Sequence, residues 1–186
     1  MGAATPCSAN LPPLLYLSDS KRSADPLRIA RQLPSGCGVV LRHYDRPDRS
    51  QLAHALAAIC RARNLRLLIA ADPALAVEVG ADGVHWPEGL LERDSSRATR
   101  LVTAAAHGIR GLQAALAQTC DAAIVSPVFT TRSRPSAMVL GIDRLRNLTA
   151  AVPIPVFALG GITPENALSL LGTGIAGIAA VGAFEQ

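Results

Sequence analysis

The chain has 186 residues, 49% of them hydrophobic, with a mean hydropathy of +0.28, which fits one soluble domain with ample material for a large core. Its net charge of +4 comes from seventeen arginines and one lysine, Lys21. These charges are scattered and aromatic residues make up only 3%, so the chain lacks the stacking platform and reader motif of a nucleic-acid binder; an anionic small molecule explains the basic balance better.

Short apolar runs rich in β-branched residues alternate with helical patterns, the signature of repeated βα units around a parallel sheet. In chain order the strand candidates are Leu14 to Ser18, Gly38 to His43, Leu65 to Ala71, Gly83 to Trp86, Leu101 to His107, Ala122 to Val128, Ile154 to Leu159 and Ile175 to Val181. Between them Leu52, Ala55, Leu56, Ile59 and Cys60 follow one apolar helix face, as do Ala167, Leu170 and Leu171 near the end. Three helix starts are marked by a cap residue before proline: Asp25-Pro26, Asp72-Pro73 and Thr163-Pro164. The polar, proline-containing stretch Arg132 to Met138 reads as the longest mobile loop. Eight strands with connections this short predict a closed (β/α)8 TIM barrel of the phosphate-binding type rather than an open doubly wound sheet, because closure leaves no edge strand. Residues 1–186 then form one domain, with 1–12 flexible and the last helix short or missing.

Cys7, Cys37, Cys60 and Cys120 show no paired spacing, so they are expected to be reduced and mostly buried rather than zinc ligands or disulfides. The start MGAATPCSANLPPL lacks the pattern of a secretory signal, and no stretch is apolar enough to span a bilayer. A cytoplasmic location is the expectation.

The stretch FALGGITPENAL, Phe157 to Leu168, joins a buried strand, two glycines and a capped helix start. Gly160 and Gly161 let a ligand approach the backbone, whose amides can point at phosphate oxygens; a tight turn without a ligand is the alternative. A second glycine-bearing turn, with Val181 and Gly182, favours phosphate, because such sites in these barrels are built from the loops after strands seven and eight.

VGADGVHWPE (Val79 to Glu88), SPVFTTRSRP (Ser126 to Pro135) and IPVFALGGITPENAL followed by GIAGIAAVGAF resemble the corresponding segments of the thiamine-phosphate synthase and TenI family, from about Leu14 to the end of the chain. The resemblance implies a thiazole phosphate held by Gly160, Gly161 and Gly182. Synthases of the family join that thiazole to a pyrimidine diphosphate with Mg²⁺ and release pyrophosphate, whereas TenI-type relatives aromatise a thiazole phosphate tautomer by moving a proton, without metal.

The residues separate these activities. Where the synthases carry an Asn-Asp pair this chain has Ala70 and Ala71, and the next family carboxylate falls on Leu90. Asp72 and Glu88 are nearby carboxylates that could substitute, but they read more simply as a helix cap and an exposed loop charge. Of the diphosphate-binding pattern only Arg42 remains, with Arg46 and Arg49 as exposed neighbours that could help it grip an anion. The family's Thr-x-Thr-Lys loop reads Thr131-Arg132-Ser133-Arg134, so Thr131, Ser133 and Arg134 are candidate ligand contacts. His107 stands where TenI-type enzymes place their proton-moving histidine, although the family's serine partner is Ala105; a hydrogen-bonded structural role is the alternative. His85 is expected near the barrel mouth, while His43 and His54 are weaker candidates, and Tyr44 and Trp86 either wall the pocket or cover the rim.

The leading expectation is a TenI-like barrel that binds a thiazole phosphate, with His107 moving a proton and no cofactor. A synthase with rearranged Mg²⁺ ligands is the second reading, and a non-catalytic phosphate-binding or regulatory barrel the third. The expected partner is a small phosphate ligand, with neither nucleic acid nor membrane; assembly of identical chains is left open.

Overall fold

The computed structural model describes residues 11–22, 25–93, 99–132 and 135–182. All eight expected strands form a closed, all-parallel barrel in which β8 pairs back onto β1. They are β1 Leu14–Leu17, β2 Gly38–Leu41, β3 Arg66–Ala70, β4 Gly83–Trp86, β5 Leu101–Ala106, β6 Ala122–Val125, β7 Val156–Leu159 and β8 Gly177–Ala180. Several apolar runs overshoot their strands at the C-terminal end. The surplus residues, among them Ser18, Arg42, His43, Ala71 and His107, fall past the strand ends at the barrel mouth, where His107 is exposed, Arg42 and Ala71 are partly buried, and Ser18 and His43 stay buried.

The helices are α1 Pro26–Gln32, α2 Arg49–Arg63, α3 Pro73–Glu78, α4 Ile109–Ala117, α5 Gly141–Ala150 and α6 Pro164–Ala167, with 3-10 turns at Glu88–Arg93 and Leu168–Leu170. The three proline starts sit where expected. The Asp25 and Asp72 carboxylates accept the N–H groups of Arg28 and Leu75 at 3.0 and 2.9 Å, and proline loses nothing in a first turn whose amides have no intrahelical partner.

Two helix faces differ from expectation. On α2 the buried line is Leu52, Ala53, Leu56, Ala57 and Cys60, with Ala55 and Ile59 at its margin. Near the end, Leu170 is buried but Leu171 is exposed, because α6 gives way to a 3-10 turn after one turn and the 3.6 period does not carry through.

Successive strand residues point to opposite faces, which splits the core. Leu15, Leu17, Val40, Leu68, Ala70, Ile124, Phe157 and Val181 fill the barrel. Outside it, one apolar layer lies under α1–α3 and another under α4–α5, and Trp86 packs against both. Trp86 therefore faces the helices and does not wall the mouth, unlike its neighbour His85.

At the opposite end of the barrel, Asp82 accepts Leu67 N–H at 2.8 Å and Arg66 Nη1–H at 2.6 Å, while Asp121 accepts Val102 N–H at 2.7 Å. The aspartate of the GADGVH segment thus ties a strand start to its neighbour. Cys37, Cys60 and Cys120 are buried, and burial pushes the Cys60 thiol up to about 12. Cys7 and residues 1–10 lie outside the described residues, as does any helix after Gly182. Of the segment expected to be flexible, Leu11 packs on the interior cluster and Pro12 is buried. Among the described residues no helix is long and apolar enough to cross a membrane.

Candidate active site

The β1 and β2 ends are laced together at the mouth. Ser18 Oγ accepts Arg42 N–H at 3.0 Å and shares a hydrogen bond of 2.9 Å with His43 Nδ1, both side chains being fully buried. The Arg42 guanidinium donates to Ser18 O at 2.9 Å and to Asp19 Oδ2 at 3.1 Å. Burial pushes the Arg42 pKa down, and the Asp19 carboxylate opposes that shift.

Arg46 and Arg49 correct the expectation of exposed, available neighbours. Arg46 is paired with Asp48. Arg49 is mostly covered; it donates to Asp72 Oδ2 at 2.9 Å and to the Ala70 carbonyl at 2.6 Å, and lies 5.8 Å from the centre of the Tyr44 ring. Asp72 is thereby committed twice, to the start of α3 and to Arg49. Tyr44 is half exposed beside that arginine.

His85 is where it was expected, inside the barrel below the mouth. Its Nδ1 meets Thr103 Oγ1 at 3.0 Å across the β4–β5 pair, and both side chains are buried. Burial, with the Arg42 charge adding to it, lowers the His85 pKa to about 3. At neutral pH His85 is an uncharged hydrogen-bonding group.

His107 follows β5 with about half of its side chain exposed, and its Nδ1 contacts Glu88 Oε2. The other Glu88 oxygen lies 3.4 Å from His107 N, within reach of its N–H. Glu88, expected as a loose surface charge, is instead the partner of the candidate catalytic histidine. His54 pairs at 3.0 Å with Glu78 on the exposed helix layer.

On the β6–β8 side the two glycines have a steric reason to be glycine. Gly160 and Gly161 have φ of 103° and 66°, and a Cβ on Gly161 would stand 2.4 Å from Thr130 O. The turn is stitched to the loop after β6 by Phe129 N–H to Gly160 O at 3.0 Å. Asn166 braces it from the other side, donating to Gly161 O at 2.8 Å and accepting Thr163 N–H at 2.9 Å. Val181 caps the barrel interior, with Gly182 next to it at the rim. Thr131 is partly buried after β6, while Ser133 and Arg134 lie outside the described residues.

The family's Mg²⁺ does not fit the donors present. The strand-three positions carry Ala70 and Ala71, Leu90 is an exposed hydrocarbon, Asp72 is engaged by Leu75 N–H and Arg49, and Glu88 is engaged by His107. Among the described residues no group of three His, Cys, Asp or Glu side chains is placed to hold a metal ion. Ala71 nonetheless keeps a left-handed φ of 54°, a conformation that Asn and Asp tolerate better than Ala.

Ser18, Asp19, Thr103 and Asn166 escaped the sequence reading. Only Asn166 had a local signal, three residues beyond the cap position Thr163.

A closed parallel barrel with its buried histidine, paired arginine and glycine turns gathered at the C-terminal ends of the strands defines the class: a (β/α)8 barrel with its candidate site at the C-terminal face. The family model described as thiamine monophosphate synthase matches residues 17–184. The chain belongs to the thiamine-phosphate synthase/TenI family of thiamine biosynthesis. It is 38% identical over 153 residues to a Geobacter sulfurreducens protein named "Putative thiamine-phosphate synthase", covering 78% of this chain and 72% of that one. It is 34% identical to a thiamine-phosphate synthase of Herpetosiphon aurantiacus, covering 87% and 82%. It spans only 45% of a Prochlorococcus marinus relative of the same name. The thiamine phosphate pyrophosphorylase structure from Pyrococcus furiosus superposes with a TM-score of 0.78 over 94% of this chain and 87% of that one; at 24% identity this bears on the fold.

Proposed function

We propose that the chain binds a thiazole phosphate at the barrel mouth and isomerises it by proton transfer through His107, using no metal. The observation that carries this reading is the contrast between the two mouth histidines. His85 is buried and too weakly basic to take a proton at neutral pH, whereas His107 is half exposed and paired through Nδ1 with a carboxylate. His107 takes a proton from one position of the ligand and returns it at another, so the product is an isomer and no leaving group, electron or net proton is involved. The phosphate would rest on the Gly160-Gly161 and Val181-Gly182 turns, with Arg42, Thr131, Ser133, Arg134 and His85 contributing contacts. α6 is too short to supply a sizeable dipole, so backbone amides rather than the helix would hold the anion. The buried thiols of Cys37 and Cys60, in no disulfide, suit a reducing compartment, and the cytoplasm is the proposed location.

The relatives' names favour a second reading, coupling of the thiazole phosphate to a pyrimidine diphosphate with release of pyrophosphate. The pure protein incubated with both substrates and Mg²⁺ decides between them: efficient formation of thiamine phosphate overturns the metal-free reading. With a thiazole phosphate tautomer alone, isomerisation is expected, and His107→Ala lowers its rate by about 10²- to 10⁴-fold. Unchanged isomerisation in that variant removes His107 from the mechanism. If neither reaction occurs and a thiazole phosphate still raises the melting temperature, the chain is a binding protein.

A further inference from the structure

Glu88 opens the 3-10 turn after β4, and His107 lies 19 residues later at the end of β5. Their contact has a feature that a casual surface pair lacks. Glu88 Oε2 meets His107 Nδ1, while Oε1 lies 3.4 Å from the His107 backbone N and only 2.1 Å from where a Cβ on Gly111 would stand. Gly111 is buried in the first turn of α4, where glycine costs helix stability relative to alanine. The carboxylate fills the space that the missing side chain leaves. By contrast the His54–Glu78 pair is a single contact at 3.0 Å between side chains that are both more than half exposed.

We infer that Glu88 is the positioning residue of His107 and that Gly111 is glycine to admit its carboxylate. A carboxylate only accepts, so the ring donates Nδ1–H and, in the neutral form, Nε2 is left as the lone-pair nitrogen of a half-exposed imidazole. The backbone contact and the Gly111 notch hold the carboxylate, so the ring is oriented before a ligand arrives. This rests on the reading that His107 moves the proton, and it adds what sets that histidine's tautomer and direction.

The test reads the ring directly. Long-range ¹H–¹⁵N spectra of the whole protein, with the His107 signals assigned by their loss in His107→Ala, are expected to show protonated Nδ1 and unprotonated Nε2 at neutral pH. Glu88→Gln, which offers a donor as well as an acceptor, is expected to shift the ring toward the Nε2–H form. Gly111→Ala, which touches neither partner's chemistry but displaces the carboxylate, is expected to do the same. With the thiazole phosphate tautomer both variants are expected to lower kcat by about 10- to 100-fold and leave KM within about twofold. If Glu88→Gln does not fold, Glu88→Asp, one methylene shorter, reads the same loss. Identical ring spectra in wild type and both variants overturn the inference. A wild type without isomerase activity sinks the functional reading alone, since the spectra still decide the role of Glu88.

Discussion

On the β1–β3 side of the mouth three arginines already hold protein oxygens: Arg42 those of Ser18 and Asp19, Arg46 both of the Asp48 carboxylate, and Arg49 those of Ala70 and Asp72. On the β4–β5 side the His107 ring has one carboxylate at Nδ1, and on the β7–β8 side the groups offered are backbone turns shaped by glycine. The difference shows that an arginine in a motif position is not automatically an anion grip. A partly buried guanidinium needs its charge matched, and here protein carboxylates match it. A phosphate approaching Arg42 has to compete with Asp19, whereas the groups offered at the Gly160-Gly161 turn belong to the backbone. On the proposed reading, proton transfer and the phosphate turns fall to the β4–β8 half of the rim, and the β1–β3 half is braced by its own ion pairs.

The sharpest way to break this division is at the glycine turn. Gly161→Ala is expected to destabilise the protein by about 2–3 kcal/mol in urea unfolding, from a left-handed φ and a Cβ driven against the Thr130 carbonyl. Gly89→Ala, with nothing within 4 Å of its Cβ, is the control and should stay within about 0.5 kcal/mol. If Gly161→Ala folds with wild-type stability yet no longer binds inorganic phosphate, the turn serves the ligand more than the fold.

His85 tests the dry interior beneath both halves. Its folded pKa of about 3 lies below the unfolded value of about 6.5, so between these values the unfolded chain binds the proton and the folded one does not. Stability should fall as pH drops through that window, by up to about 1.4 kcal/mol per unit. His85→Gln keeps a partner for Thr103 and should remove that part of the slope; unfolding curves from pH 7 to 4 that are parallel for both proteins would show that the histidine is not dry.

Asp72 tests the rigid half. Asp72→Ala is expected to cost about 1–2 kcal/mol through the lost cap, and Asp72→Asn distinctly less because asparagine caps as well. Millimolar Mg²⁺ that raises the melting temperature of wild type but not of Asp72→Asn would give this carboxylate a cation-binding duty and overturn the comparison. The smallest effect belongs next door: Ala71→Gly should stabilise by about 0.5–1 kcal/mol in the same unfolding assay, because glycine relieves a left-handed φ of 54°.

The barrel was legible because each βα unit declares itself locally. The runs that became β2 and β3 are apolar on both faces, as a strand between helices and a filled interior must be, and Asp25-Pro26 and Asp72-Pro73 mark their helices by short-range chemistry. Where local signals are weak the pattern misleads: α6 lasts one turn, and Ala53 and Ala57 of α2 are buried without a large side chain to announce them. At the site, the strand-end positions of Arg42, His85 and His107 and the glycines at Gly160 and Gly161 were readable. What each residue is bonded to was not.

By itself the sequence determined eight strands, three helix starts, the closed parallel order and the end of the barrel at which the site candidates gather, all properties of local pattern and chain connectivity. Only the tertiary structure decided that Arg42 is matched by Asp19 from 23 residues away, that Asp72 is shared with Arg49, and that Glu88 rather than Ala105 attends His107. The reason is physical. Side-chain partnerships across neighbouring strands depend on register and on which loop folds back over the rim, and neither leaves a periodic trace in the chain.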